Sequence, residues 1–443
     1  MNNKKVQITV SVLIALAIAL LSFVAGFFVE RCTSDKAVSS YEWAMRTIKN
    51  YYYFDEPDIS YTQTSLKEIA NVYLDRYSEY YTKEEYEEVQ KSNAGSKSGI
   101  GISYSFMSGR GVYISRVVGN SPAYKSGLRK GDWIKSGRVE NGEEIAYTSS
   151  TSFSNFISAA KDGEKMYFTA TDGTEYKPLA KEEYTASYCS LSTSSEHWAY
   201  NPDSGQYEYT INYNTYSFLP EGCAYLSLDQ FYGTATSEFY TLIEKFNAMQ
   251  CTSLILDLRS NGGGYVSIMQ DIAGSFADGK STLAMLSRNK GGAEEKFDCR
   301  RVGNKDRRVG KDVKVFVLAN AGTASASEAL IGALYCYGAL QYENIFLSQY
   351  TDDYINWLYP TGEGIKNGQT YGKGIMQTPF TNSFTGEVLK LTTAKIFWPD
   401  KVTSIHDRGV TLADGCTPVS TEWEWTKGDE ELKSAVAEIK NRL

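Results

Sequence analysis

Residues 313–328 read Val-Lys-Val-Phe-Val-Leu-Ala-Asn-Ala-Gly-Thr-Ala-Ser-Ala-Ser-Glu, an apolar run that gives way to small residues. The apolar part, Val313–Leu318, predicts a buried strand, and Ser325–Tyr337 predicts a helix. Ser325 therefore lies where the loop after a strand meets a helix N-terminus. The amides at such a terminus are unpaired and the helix dipole is positive there, so developing negative charge is stabilised. Ser325 is a candidate nucleophile.

A strand followed by a helix occurs twice more upstream. These pairs are Ala224–Leu228 with Ser237–Met249, and Leu254–Leu258 with Val266–Phe276. Alternating strands and helices predict an α/β core from about residue 181 onward. The glycines Gly262-Gly263-Gly264 follow the second of these strands and offer free amides, which suit an oxyanion hole.

A serine nucleophile needs a base, and the sequence offers few. Only two histidines occur, His197 and His406, whereas Lys373 stands between Gly372 and Gly374. A lysine acts as a base only when neutral, and burial favours its neutral form. A triad built on either histidine stays open, because triads are defined by geometry rather than spacing. Taken singly, each motif also fits a turn, a helix cap or a solvated lysine.

Length, net charge and cysteine spacing limit the classes of function that the chain can have. With 443 residues the chain is long enough for about three domains. Its net charge of −8 argues against a nucleic-acid partner. The seven cysteines lack CxxC spacing, which argues against a zinc site or a dense disulfide framework.

The first 36 residues predict a membrane anchor. Lys4 and Lys5 precede the uncharged stretch Val6–Val29, which is long enough to cross a bilayer as a helix. The lysines favour a cytoplasmic N-terminus, so the remaining chain would be periplasmic or extracellular. A cleaved signal peptide is the alternative, and it places the body outside the cytoplasm as well.

Residues 37–92 predict a small helical bundle without chemistry. Apolar residues recur at helical spacing from Tyr41 to Tyr52 and again in Leu66–Leu74. Thr82 and Glu85 have the spacing of a capping box that opens a third helix.

Residues 93–180 resemble a PDZ domain. A glycine loop precedes a strand, and then come a second strand, Ser121-Pro122-Ala123 and Lys130-Gly131-Asp132. The resemblance implies that backbone amides of Gly99, Ile100, Gly101 and Ile102 bind the terminal carboxylate of a peptide, whose backbone adds to a strand edge. A plain β-hairpin with glycine turns is the alternative.

Several motifs together resemble the carboxyl-terminal processing peptidases, or tail-specific proteases. The matching stretches are Asp75–Glu85, Asp257–Gly264, Ser325–Glu328, Tyr371–Gly374, Leu391–Lys395 and Ile405–Gly409. The resemblance implies an α+β multidomain chain with a crotonase/ClpP-like α/β protease core over 181–425, followed by a C-terminal helix over 426–443. It assigns Ser325 as nucleophile, Lys373 as base and Gln377 as the residue that holds this lysine.

The implied activity is endoproteolysis near the C-termini of polypeptides. The amides of Gly263 and Ala326 would stabilise the oxyanion, while Asp257 and Arg259 would brace the glycine loop. Glu328 would stabilise the start of its helix. No metal or organic cofactor is implied, and the partners are polypeptides with free C-termini.

One departure from the family concerns spacing. Ser325 and Lys373 are 48 positions apart, which is about two dozen more than the family leads us to expect. The extra residues fall between 341 and 368, where they could form a lid, a substrate contact or a homodimer contact. Two rival functions remain open, a catalytically silent membrane-anchored PDZ adaptor and a small-molecule enzyme on a crotonase-like core.

Overall fold

The computed structural model describes residues 36–55, 65–201, 204–211, 216–277, 282–351, 367–421 and 429–443. The chain divides into a smaller unit, which contains the described residues up to Glu87 and Gln377–Thr393, and a larger unit, Glu88–Met376 with Ala394–Leu443. The predicted anchor lies outside the described residues, apart from its last residue. Among the helices that the structure describes, none has both the length and the apolar character needed to span a membrane.

The helices and strands follow the chain in this order. The helices are α1 (Lys36–Tyr51), α2 (Leu66–Tyr73), α3 (Lys83–Asn93), α4 (Pro122–Ser126), α5 (Ser150–Ala159), α6 (Ala235–Ala248), α7 (Val266–Gly274), α8 (Ala326–Cys336) and α9 (Glu430–Lys440). The strands are β1 (Glu79–Tyr81), β2 (Ser96–Gly99), β3 (Ile102–Met107), β4 (Gly111–Val117), β5 (Trp133–Val139), β6 (Ile145–Ala146), β7 (Met166–Ala170), β8 (Glu182–Thr185), β9 (Cys189–Ser192), β10 (Glu196–Asn201), β11 (Gln206–Ile211), β12 (Cys223–Leu228), β13 (Ser253–Asp257), β14 (Leu283–Asn289), β15 (Glu294–Asp298), β16 (Lys314–Ala319), β17 (Ile345–Tyr350), β18 (Ile375–Thr381), β19 (Val388–Phe397) and β20 (Thr417–Thr421).

The smaller unit is not the predicted all-helical bundle. Helices do form at the predicted places, and Thr82 and Glu85 exchange the two hydrogen bonds of a capping box. However, β1 pairs antiparallel with residues 388–390, and Ile48 and Ile69 share one core with Leu389. The apolar faces of α1 and α2 are therefore buried against a strand that lies more than 300 residues later in the sequence.

Residues 102–170 form a five-stranded antiparallel sheet within the larger unit. Its order is β3-β4-β5-β6, with β7 paired to β5, so β3 is an edge strand. Helix α5 closes this layer because Phe153 and Phe156 pack with Phe168 of β7. The PDZ assignment and the predicted domain boundaries stay predictions.

An eight-stranded sheet forms the centre of the larger unit, in the order β11-β10-β9-β12-β13-β16-β17-β20. The five strands from β12 to β20 run parallel. Leu254 and Leu256 of β13 contact the core under α6, α7 and α8, while Ile255 contacts the core under α9. Both faces are covered, which explains the continuous apolar runs in the sequence. The predicted α/β core is confirmed.

Candidate active site

Ser325 lies at the N-cap of α8, directly after the loop that leaves β16. Its backbone has φ 59° and ψ −116°, which non-glycine residues seldom adopt. Such strain persists only where the surroundings hold it, and it concentrates at functional sites. The side chain of Ser325 is half-buried, while Ala326–Leu334 of α8 are buried.

Glu328 holds this strained turn from inside the protein. The carboxylate is fully buried, and its Oε2 accepts the N–H of Ser325 at 2.8 Å. The same oxygen accepts the N–H of Lys373 at 3.0 Å. Its other oxygen, Oε1, accepts the hydroxyl of Thr370 and the N–H of Gly372. The predicted cap of α8 is confirmed, but Glu328 also joins the serine motif to the lysine motif.

The two motifs are therefore neighbours in space although 48 positions separate them in the chain. The N–H of Tyr371 donates to the carbonyl of Thr323 at 3.0 Å, which adds a direct backbone link. The side chain of Lys373 is half-buried. Next to it, a Cβ at Gly374 would lie 2.4 Å from the backbone nitrogen of His406, so only glycine fits there.

Burial raises the pKa of Glu328 to about 7, although its four hydrogen bonds act in the opposite direction. The carboxylate is thus close to its titration midpoint at neutral pH. All four of its partners donate hydrogens, which favours the ionised form, whereas burial favours the neutral form.

Asn261 fastens the glycine loop to the serine motif. This fully buried side chain donates to the carbonyl of Leu228 and accepts the N–H of Gly263 at 2.9 Å. Its backbone carbonyl accepts the hydroxyl of Ser327, and Ala324 donates to it as well. The predicted free amide of Gly263 is therefore bonded to Asn261 in this structure.

Gly263 nevertheless lies against the predicted nucleophile. A Cβ at this position would be 2.9 Å from the Cβ of Ser325 and 2.9 Å from the N of Ala326, and the backbone has φ +96°. Ala326 is the first residue of α8, where a backbone N–H has no partner within the helix. The structure thus brings the three predicted residues together.

Arg259 lies in a buried ion cluster rather than beside the reacting groups. Its guanidinium contacts Asp257 and Asp429 at 2.6 Å and Glu431 at 2.9 Å, and its side chain is 2% exposed. Asp429 also caps α9, since it accepts the N–H of Leu432. Asp257 and Arg259 thus help to anchor the C-terminal helix, while their predicted bracing of the glycine loop stays a prediction.

Gln377 belongs to the smaller unit. Its Nε2 donates to the hydroxyl of Thr392 at 3.0 Å, and this hydroxyl donates to Asp75 at 3.0 Å. Asp75 also accepts the hydroxyl of Ser78. The stretch around Asp75 thus supports Gln377, while the predicted contact of Gln377 with Lys373 stays a prediction.

The histidines differ in their surroundings. His197 has both ring nitrogens engaged, Nδ1 with Ser192 at 2.8 Å and Nε2 with Tyr124 at 3.2 Å. Burial, with the nearby charge of Arg129, lowers the pKa of His197 to about 4. His197 is therefore a neutral structural residue, and His406 is the histidine that lies beside the lysine motif.

A groove of about 520 Å³ runs between β3 and α5. Ile100, Gly101 and Ile102 line this β3–α5 groove, whereas Gly99 does not. The carbonyls of Ile100 and Gly101 accept the N–H groups of Ala123 and Val118. A planar trans peptide directs its C=O and N–H to opposite sides. The N–H groups of Gly101 and Ile102 therefore point away from residues 118–123.

The sequence did not predict that Glu328 binds Thr370, Gly372 and Lys373 as well as capping its own helix. Thr370 joins Glu328 to the N–H of Val410, a contact across 40 positions that no local pattern signals. Asn261 could be recognised in the sequence as a candidate site residue because it stands inside the Asp257–Gly264 motif. Its bond to Gly263 could not be predicted, because it depends on a side-chain rotamer.

Several known proteins are similar to this chain in sequence. Residues 222–340, which contain the glycine loop and Ser325, match the model of Peptidase family S41. A "Probable CtpA-like serine protease" of Staphylococcus epidermidis is 24% identical over 370 residues, which cover 83% of this chain and 63% of that relative. A protein of the same description from Staphylococcus aureus is 23% identical over 412 residues and covers 90% of this chain and 71% of the relative.

A solved structure from Bacteroides fragilis, named "Putative S41 protease", has a TM-score of 0.56 and 15% sequence identity. It covers 90% of this chain and 97% of that chain, and it supports the fold alone. The chain spans 63% of the length of the S. epidermidis relative. The family model and the relatives confirm that this chain resembles the carboxyl-terminal processing peptidases and carries, over residues 222–340, the Peptidase family S41 region.

Proposed function

We propose that the chain is a serine endopeptidase that cleaves polypeptides near their C-termini with a Ser325–Lys373 dyad. One observation carries this proposal. A single buried oxygen, Oε2 of Glu328, accepts the backbone N–H groups of both residues, at 2.8 and 3.0 Å. A brace of this kind fixes a nucleophile and a base relative to each other, which is what the reaction requires.

In the proposed reaction, neutral Lys373 accepts the hydroxyl proton while Oγ of Ser325 bonds to the scissile carbonyl carbon. The C–N bond then breaks, the lysine proton passes to the leaving amine and an acyl-enzyme remains. Water next attacks the ester carbonyl and gives a proton to Lys373. The acyl C–O bond breaks, Lys373 passes this proton to Oγ of Ser325, and the new carboxyl terminus is released. Gln377 would orient Lys373, and the chain Asp75–Thr392–Gln377 supports that role.

The oxyanion would accept hydrogen bonds from two backbone amides. The N–H of Ala326 is the first donor, because the start of α8 leaves it without a helical partner. The N–H of Gly263 would be the second donor after it exchanges Asn261 for the substrate oxygen.

The β3–α5 groove would capture the substrate tail in the manner of a PDZ domain. The edge strand β3 offers a backbone for strand addition, and the N–H groups of Gly101 and Ile102 face the carboxylate. Residues 6–29 would anchor the enzyme so that the active site acts outside the cytoplasm.

The test is peptide cleavage by the full chain in mild detergent, followed by mass spectrometry. The substrate is an unstructured peptide with a free apolar C-terminus, and no metal is added. Cleavage should occur with the parent and vanish with both Ser325→Ala and Lys373→Ala. Lys177→Gln, an exposed lysine elsewhere, is the matched control and should cleave normally.

Cleavage that persists in Lys373→Ala would reject the lysine base and leave His406 as the base. Binding of the peptide without cleavage by any form would instead favour the adaptor function.

A further inference from the structure

Two cationic side chains line the β3–α5 groove. Lys97 lies on β2 just before the glycine loop, and Arg116 lies on β4 directly opposite Ser103 of β3. Both side chains are half-buried. Burial, followed by repulsion from Arg116, lowers the pKa of Lys97, which indicates that the two charges are close enough to interact.

Among the described residues, no carboxylate lines this groove itself, although Arg116 also lines a second cavity together with Asp229, where its charge partly offsets the rise that burial causes in the pKa of Asp229. The other lining side chains are apolar, aromatic or uncharged, such as Ile102, Ile157, Tyr184 and Gln230. Lys97 donates to the hydroxyl of Ser92 at 2.6 Å. The described lining of the groove thus has two cations and no carboxylate, although the chain has a net charge of −8.

The terminal carboxylate of a peptide does not need both cations. Gly101 and Ile102 line the groove, their N–H groups point away from residues 118–123, and backbone amides suffice for one carboxylate. The positive charge of the two side chains is therefore complementary to a second anion in this groove.

We propose that the β3–α5 groove selects polypeptide tails with an acidic side chain among the last three residues, and that Lys97 and Arg116 bind this side chain. The inference rests on the proposed tail capture and extends it to the class of substrate. An arginine and a lysine beside an edge strand give a carboxylate charge-assisted hydrogen bonds while the peptide backbone pairs with β3.

The test measures binding of labelled decapeptides by fluorescence anisotropy. The full chain carries Ser325→Ala so that no peptide is cleaved. One peptide set places Glu at each of the last three positions in turn, a second set places Gln there, and a third set has an amidated C-terminus. At one position Glu should bind about 10-fold more tightly than Gln, as expected for a hydrogen-bonded charge. Higher salt should reduce this ratio.

The variants Lys97→Gln and Arg116→Gln should each bring the ratio of Glu to Gln affinity towards one. The matched control Lys177→Gln removes the same charge from an exposed position and should keep the 10-fold ratio. That pattern would support the proposal.

Three results would overturn it. If free C-termini bind more tightly than amides but Glu and Gln bind equally, tail capture stands and the acidic preference fails. If the preference persists in both variants, another site recognises the acid. If no peptide binds, the proposed tail capture fails together with this inference.

Discussion

Two buried glutamates hold the first turns of two helices, Glu238 in α6 and Glu328 in α8. Each is fully buried, and each accepts four hydrogen bonds. Glu238 binds the hydroxyl of Thr234 and three donors in the segment that leads into β9: the hydroxyl of Ser187 and the N–H groups of Tyr188 and Cys189. All of these partners are parts of the scaffold.

The partners of Glu328 belong instead to two separate motifs. They include the N–H groups of Ser325 and Lys373, the proposed nucleophile and base. The helix starts differ as well, because Thr234 has a relaxed φ of −88° whereas Ser325 has φ 59°. The same carboxylate chemistry thus stabilises a segment of the scaffold beside α6 and the strained turn that carries the proposed nucleophile at the start of α8.

The first prediction compares the effects of substituting each of the two glutamates by glutamine. Each change replaces one acceptor oxygen by an NH₂ group facing N–H or O–H donors, so both variants should lose about 2 kcal/mol of unfolding free energy. Only Glu328→Gln should lower kcat/KM, by roughly 100-fold, because it misplaces the reacting groups. Urea unfolding and peptide cleavage measure the two effects.

Glu238→Gln is its own matched control, since it carries the same chemical change without touching either motif. Equal losses of kcat/KM at equal folded fraction would show that Glu328 has no special link to the site.

The same two residues show how far the sequence could predict the structure. Glu328 stands in a recognisable motif at a helix start, so its capping role was predictable from spacing. Glu238 has the spacing of any acidic residue on an amphipathic helix, and only the approach of residues 187–189 buries it. Periodicity gives strands, helices and the junctions that carry Ser325 and Lys373. Periodicity does not predict which amides from distant parts of the chain bind the same carboxylate.

The failures have the same origin. The predicted helical bundle overlooked the pairing of β1 with residues 388–390, which is a contact between segments far apart in the chain. The free amide expected at Gly263 is bonded to Asn261, because a side-chain rotamer competes for it. Neither outcome depends on a local pattern.

A second prediction concerns the buried ion cluster around Arg259. In this cluster the carboxylates contact a cation, whereas Glu238 and Glu328 accept hydrogen bonds from neutral groups. Arg259→Gln leaves Asp257 and Asp429 buried without their charge partner and should cost about 3–5 kcal/mol of unfolding free energy. Arg288→Gln, which breaks the exposed pair with Glu294, should cost less than about 1 kcal/mol. Urea unfolding at pH 7 compares them.

The pH dependence of this difference has a definite sign. Arg259 lowers the pKa of Asp429 against the effect of burial, so the ion cluster stabilises the fold above the ordinary aspartate pKa. The cost of Arg259→Gln should therefore be constant between pH 5 and 7 and shrink as the pH falls below about 4. A cost independent of pH down to pH 3 would contradict the ionic explanation.

A third prediction concerns the titration of Glu328. Its pKa is raised from an ordinary 4.5 to about 7, so the folded state binds a proton more tightly than the unfolded state between these values. Unfolding free energy should therefore fall as the pH rises from about 4.5 to 7, by an amount on the order of 3 kcal/mol.

Glu328→Gln should remove this fall, whereas Glu238→Gln should leave the Glu328 contribution in place. Urea unfolding at pH 5 and pH 7.5 measures the difference. An unchanged slope in Glu328→Gln would assign the titration to other groups.

The last prediction compares alanine substitutions at two adjacent glycines, Gly262 and Gly263, which lie near the strained backbone at the start of α8. Gly263→Ala puts a methyl group 2.9 Å from the Cβ of Ser325 at a φ of +96°, while a Cβ at Gly262 has no atom within 4 Å. Strain and overpacking should cost Gly263→Ala about 2 kcal/mol of unfolding free energy and shift the turn that carries Ser325. Gly262→Ala should change stability and cleavage little. Because the two variants add the same methyl group one residue apart, a loss of cleavage confined to Gly263→Ala would come from the position of the nucleophile, and equal behaviour would mean that the turn tolerates displacement.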